Sequence, residues 1–215
     1  FTCLIGLNSS GKSTILQAID FISQQMNGKI SQWLKDRNWE TNELTYKLEK
    51  KRIIIGTISF SHNENFCIWT FAFNPTLKKC VYEKIYSFDK KIEDRKLIFK
   101  VEDSKYMITK DLDKNEKLEG DIIQDYEGSF LANLKSELLP DALIEFRDYL
   151  RNIYSLDLLA PQELRKRSRT GSKLGLSGEN LSAYLDTFSE KQKDALLEQL
   201  RKCYKNLESF DIKKS

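Results

Sequence analysis

Histidine is nearly absent from this chain: His62 is the only one. That excludes, within these residues, most zinc sites, a Ser-His-Asp triad and a histidine-based nuclease centre, since each draws on one or more imidazoles. Cysteine is also sparse. Cys3, Cys67, Cys80 and Cys203 lie far apart, form no Cys-x-x-Cys pair and sit in apolar surroundings, which suits a reducing cytosol better than a disulfide framework. No run of about 18 apolar residues is present, and no cationic segment precedes an apolar one. The reading is a soluble, cytoplasmic chain with no membrane partner. A strong charge of one sign is missing too: 35 basic against 32 acidic residues leave +3, so any contact with nucleic acid has to be local. What remains is ordinary globular material, 40% hydrophobic and 31% charged over 215 residues, enough for one sizeable core or two small ones. The sequence shows no repeats and no low-complexity segment.

Residues 1–28 read as strand, loop and helix. Thr2 to Ile5 is a short apolar stretch stopped by Gly6, expected to be a buried strand. Ile15, Ile19, Ile22 and Met26 then recur at helical spacing, with Gly28 placed to end the helix. Residues 29–52 are polar and mixed, anchored by Trp33, Leu34 and Trp39, and read as a loose helical or irregular connection. Between 53 and 119 the texture is β: Ile53 to Phe60, Phe66 to Phe73, Cys80 to Phe88 and Lys96 to Val101 form an antiparallel meander, to which Tyr106 to Thr109 adds a strand. Cys67, Trp69, Phe71 and Phe73 share one face, read as core rather than as a base-stacking platform because no Arg or Lys interleaves. From 120 to 153 the period is helical, with one stripe through Phe130, Leu131, Leu134 and Leu138 and a second through Leu143, Phe146, Leu150 and Ile153. Residues 154–175 read as a strand ending near Pro161 and a basic loop. Residues 176–215 are helical, with Ser189 and Gln192 forming a capping box ahead of Leu196, Leu200, Cys203 and Leu207.

The chemistry is concentrated near the start. Gly6-Leu7-Asn8-Ser9-Ser10-Gly11-Lys12-Ser13 fits G-x-x-x-x-G-K-[ST] at every fixed position, between an expected strand and an expected helix. A polyphosphate has to be stripped of water, so such a site offers inward backbone N–H groups and the positive end of a helix dipole. Gly6 and Gly11 let the backbone curl around the β-phosphate. Lys12 supplies a mobile charge to the β- and γ-phosphates, the Ser13 hydroxyl is placed to ligate Mg²⁺, and Thr14 can reach the α-phosphate. The expected ligands are a nucleoside polyphosphate and Mg²⁺; the loop alone does not separate kinases, GTPases and ATPases, and ATP follows from the resemblance below.

The stretch "GLNSSGKSTILQAIDFI" resembles the Walker A region of the ABC-type ATPase heads of the SMC, RecF and OLD families, G-x-N-[GN]-[SA]-G-K-[ST]-[TN] followed by an aliphatic helix. Asn8, Ser10, Thr14 and "ILQAI" match; Ser9 departs from the commoner Gly or Asn, at a tolerant position. The resemblance implies an α/β P-loop NTPase fold with an antiparallel β lobe and a helical lobe. "LDLLAPQELRKRSRTGSKLGLSGENLSAYL" is similar to a stretch of the AAA_21 and RecF-like ATPases in which a strand ends near a Pro, a basic loop follows and Gly-x-Asn-Leu opens a helix. By position Gln162 corresponds to the Q-loop residue, a second candidate for Mg²⁺ and the γ-phosphate. "LSGEN" looks like an ABC signature but is read as the Gly-x-Asn-Leu segment, because no strand ending in Asp-Glu follows Asn180.

By this resemblance, residues 1–215 are expected to be part of an ATPase head, the amino-terminal piece of a longer protein, binding ATP well and hydrolysing it poorly. Such heads act in DNA transactions or anti-phage defence and form homodimers that sandwich ATP. Arg165, Lys166, Arg167, Arg169 and Lys173 place five cations within nine residues, a candidate DNA contact or else an ordinary solvated loop. Two other classes compete. A P-loop kinase or GTPase-like switch is opposed by Asn8, the β insertion and the lack of an Asn-Lys-x-Asp motif. An ABC transporter subunit is opposed by the length of the β and helical regions.

Overall fold

A computed structural model describes residues 4–8, 10–45, 53–62, 65–88, 92–111, 116–155, 161–164, 174–175 and 177–210. The chain divides into two compact units, Phe1–Tyr154 and Ser155–Ser215. The architecture is α/β, an antiparallel sheet lobe with helices, as expected of a P-loop fold.

In the first unit, α1 (Lys12–Asn27) and α2 (Ile30–Asp36) precede six strands: β1 (Ile54–His62), β2 (Asn65–Asn74), β3 (Lys79–Phe88), β4 (Lys96–Glu102), β5 (Lys105–Asp111) and β6 (Glu116–Asp121). They form one antiparallel sheet in sequence order, the topology of a meander. Helix α3 (Asp141–Arg151) follows. Trp69, Phe73, Ile85, Phe99 and Ile108 are fully buried, and α1, α3 and the 126–131 segment pack on that face through Phe21 against Phe73, Phe146 against Trp69 and Phe130 against Tyr106. The apolar row of β2 is therefore core.

Several expectations need correction. Leu4 and Ile5 are exposed and lie in no strand, because among the described residues no neighbouring strand pairs with them. On α1 the burial is confined to the second half: Ile15 and Ile19 are 51% and 41% exposed, whereas Phe21, Gln25 and Met26 are buried. The stripe from Phe130 to Leu138 is two short 3-10 turns, Phe130–Asn133 and Ser136–Leu138. The buried Arg147 guanidinium donates to Leu134 O and Ser136 Oγ, at 2.8 and 2.7 Å, and so takes up acceptors that a continuous helix would have shielded. Strand β6 is an addition that no apolar alternation signals. Its sequence, Glu-Lys-Leu-Glu-Gly-Asp, is that of a charged edge strand, with Gly120 beneath the Tyr106 ring. Residues 156–160, read as a strand, lie outside the described residues.

The second unit holds α4 (Pro161–Leu164), α5 (Leu181–Asp186) and α6 (Glu190–Cys203). Asn180 is the N-cap of α5, so Gly-x-Asn-Leu does open a helix, and both halves of the Ser189/Gln192 capping box are formed. Cys203 is exposed rather than on a covered stripe.

Two features fix α1 on the sheet. Gly128, at φ +70°, lies so close to the last turn of α1 that an added Cβ would stand 2.3 Å from Gln25 O. It also exchanges backbone hydrogen bonds across the start of β3, donating to Lys78 O just before the strand and accepting from Cys80 N within it, both at 2.8 Å. Beside it Glu83 is fully buried on β3, accepting from Trp69 Nε1 (3.1 Å), Ser129 Oγ (2.5 Å) and Phe130 N (2.8 Å). Burial pushes its carboxyl up to about 7, against the pull of those three donors.

Gly128→Ala is expected to destabilise the chain by more than about 2 kcal/mol in chemical denaturation, through strain at positive φ and collision with backbone. Glu83 gives a pH test. A carboxyl whose folded value lies above its unfolded value binds more protons in the folded state, so its contribution is complete below about 4.5 and is lost as pH rises towards about 7. The denaturation midpoint of the wild type should fall across that window relative to Glu83→Gln. A wild-type profile that rises there relative to the variant would show that the three donors hold Glu83 ionised throughout.

Candidate phosphate-binding loop

The loop expected to hold phosphate runs directly into α1. Gly11 is the helix N-cap at φ 84°, a left-handed conformation that a side chain would strain. The helical ladder starts with Ile15 N donating to Gly11 O at 3.1 Å, so the N–H groups of Lys12, Ser13 and Thr14 precede it. The first turn carries no acidic residue, which leaves the positive end of the helix dipole uncompensated by its own side chains.

Lys12 folds back over the loop. Its Nζ donates to Gly6 O at 2.9 Å, to Leu7 O at 2.6 Å and lies 3.2 Å from Ser10 Oγ. Ser10 N in turn donates to Leu7 O at 3.3 Å, closing a tight turn around the ammonium. The approach is close at Gly6, where an added Cβ would lie 2.9 Å from Ser10 Oγ. Leu7, Asn8, Ser10, Ser13 and Thr14 are exposed. The structure thus brings together seven of the expected residues: Gly6, Asn8, Ser10, Gly11, Lys12, Ser13 and Thr14.

The donor set fits a polyphosphate: backbone N–H groups at a helix start, one ammonium and three hydroxyls, with no carboxylate in the helix's first turn to repel the anion. It also fits Mg²⁺, a hard cation that takes oxygen ligands and keeps much of its coordination for water and phosphate. Among the described residues no group of three or more His, Cys, Asp or Glu could hold a metal by itself. Gln162 is exposed on α4, in the second unit. Ser9 and the cations Arg165, Lys166, Arg167, Arg169 and Lys173 lie outside the described residues.

Behind the loop, α1 carries a buried charge that sequence reasoning did not single out. Asp20 is 3% exposed and accepts from Trp33 Nε1 and Arg37 Nη2, each at 2.6 Å. The Arg37 guanidinium lies between Trp33 and Trp39, 5.4 and 5.3 Å from the two ring centroids. This cluster ties the polar connection after α1 back to the middle of the helix. At the far end, Arg151 donates to Met26 O and Ala132 O, at 2.8 and 2.7 Å. Only the tryptophans signalled this packing in the sequence.

The family model AAA_21, described as "AAA domain, putative AbiEii toxin, Type IV TA system", matches residues 1–213. The chain belongs to that family, a P-loop NTPase-like AAA domain. No curated protein and no solved structure matches it. No helix among the described residues is long and apolar enough to cross a membrane.

Gly6→Ala tests the loop apart from the core. The new methyl has to displace the Ser10 hydroxyl and with it one contact of Lys12. Affinity for a fluorescent ATP analogue is expected to fall about tenfold, with the denaturation midpoint unchanged, because the loop lies outside the buried core.

Proposed function

We propose that this chain is the ATP-binding part of an ATPase head of the RecF, SMC and OLD type, acting in DNA transactions or anti-phage defence through ATP-driven dimerisation. The observation that carries the reading is the loop itself: a left-handed Gly11, a lysine held over the turn and hydroxyls flanking a helix start without acids. Asn8 and the order of loop, β lobe and helices favour that head type over a kinase or GTPase. The family's description, which names a toxin of a toxin–antitoxin system, supports a defence role.

In this reading the N–H groups of the loop and Lys12 hold the phosphates, Ser13 would supply an oxygen ligand to Mg²⁺, and Thr14 reaches the α-phosphate. Mg²⁺ supplies charge neutralisation of the phosphates when bound. To bind, the nucleotide has to draw Lys12 away from Gly6 O and Leu7 O, so the lysine exchanges backbone carbonyls for phosphate oxygens. The segment 165–173 offers DNA a few phosphate contacts. Hydrolysis also requires a group to position the attacking water. No strand ending in Asp-Glu follows Asn180, so turnover by these residues alone is slow.

Purified residues 1–215 should bind ATP in preference to GTP in calorimetry with Mg²⁺, and Lys12→Ala should weaken that binding by about 100-fold or more. Brisk turnover abolished by Lys12→Ala would place a catalytic carboxylate within this chain and overturn the expectation of slow hydrolysis. Equal binding by wild type and Lys12→Ala would overturn the site.

A further inference from the structure

The sheet has a second face, turned away from α1 and α3. On β3, Tyr82, Lys84 and Tyr86 alternate with the buried Glu83 and Ile85 and therefore lie on that outer face. The register sets Tyr82 beside Ala72, Lys84 between Thr70 and Lys100, and Tyr86 between Ile68 and Leu97. Each tyrosine has a cation on its ring: Lys84 Nζ is 5.0 Å from the Tyr82 centroid and Arg95 Cζ is 5.5 Å from that of Tyr86. Lys100 is neutralised by Glu102 at 2.5 Å. Among the described residues, Lys84 and Arg95 are in no ion pair.

We propose that this face binds single-stranded nucleic acid, with bases stacking at Tyr82 and Tyr86 and phosphates meeting Lys84 and Arg95. Four residues apart on one strand, the two tyrosines stand about 13 Å from each other with an ammonium between them, an arrangement of stacking surface and charge that tracks a flexible polyanion. A duplex keeps its bases inside the stack and leaves the rings without a partner. An apolar protein surface is a poor alternative, because covering Lys84 and Arg95 would strip two cations of water with little beyond the tyrosine rings in return. The charges also bound the site. Glu119 and Asp121 on β6 are exposed and repel phosphate, which directs a strand to the β2–β4 half of the sheet.

The inference needs neither Lys12 nor a bound nucleotide, and it uses a surface different from residues 165–173. The test is fluorescence anisotropy of the full chain, without ATP, on a labelled oligothymidine of about 15 nucleotides and on a duplex of equal length. Saturable oligothymidine binding is expected, weaker for the duplex, with affinity falling between about 50 and about 200 mM salt. Tyr82→Ala combined with Tyr86→Ala should weaken it about tenfold or more. Lys84→Glu, at a half-buried position on the outer face where no packed core side chain is removed, should weaken it and reduce the salt slope by about one phosphate's worth; this variant decides the matter should the tyrosine pair fail to fold. Replacing Arg165, Lys166, Arg167, Arg169 and Lys173 by alanine should leave oligothymidine affinity in place. No saturable binding, equal affinity for the duplex, affinity unchanged by Lys84→Glu, or loss only in the 165–173 variant would each overturn the proposal.

Discussion

The approach of Gly128 to Gln25 is the contact on which the arrangement of the first unit depends. Three pieces of chain meet there: the last turn of α1, the start of β3 and the segment that leads to the 3-10 turns. Ser129 N donates to Gln25 O at 2.9 Å while the Cys80 thiol donates to Gln25 Oε1 at 2.8 Å, so one glutamine is held by its backbone and its side chain at once. Tyr126 closes the junction by donating to Cys80 O at 2.5 Å. Because α1 is a rigid rod of 16 residues, fixing its C-terminal end fixes the direction of its N-terminal end. The loop owes its orientation to backbone contacts more than 100 residues away in sequence.

This separates the groups that hold the fold from those offered to a ligand. The loop and the first two turns of α1 contribute no side chain to the buried core, whereas the second half contributes Phe21 and Met26. The candidate loop is set apart from the core by that division. Its N–H groups and hydroxyls stay available, and a movement of Lys12 would disturb no packed interior. Cooperation between loop and sheet is mechanical, carried by the helix, with Arg151 and the Ser23 bond to Ile153 O (2.9 Å) bracing it against α3.

The parts legible in the sequence are those where chemistry or periodicity constrains residue type locally. The loop's motif stands out in the sequence because its fixed positions are glycine, lysine and a hydroxyl. The β meander was readable because Trp69, Phe71 and Phe73 alternate with polar or small neighbours, and the Ser189 cap because its partner lies three residues on. What escaped depends on partners distant in the chain. Arg147 looks like an exposed helical cation until Leu134 O and Ser136 Oγ are placed against it. Glu83 looks like the polar half of an alternating strand, yet it is buried because Ser129 and Phe130 bring donors to it from 46 and 47 residues away. β6 escaped because an edge strand has one unpaired side and tolerates charge.

The two buried carboxylates show how the same cost is met in different ways. Removing a carboxylate from water is expensive, and each has gathered hydrogen-bond donors in return. Asp20 has a guanidinium in contact, so its charge is compensated where it sits. Glu83 has only an indole N–H, a hydroxyl and a backbone N–H. Neutral dipoles orient a carboxylate but do not cancel its charge, and burial therefore prevails in its titration. The consequence follows the helix. Asp20 pins the middle of α1 to the polar segment after it through an ion pair with Arg37, while the junction at its C-terminal end is built around a carboxyl that burial pushes up to about 7. Of the two attachments that aim the candidate loop, the one built around Glu83 meets the cost of burial with neutral donors alone.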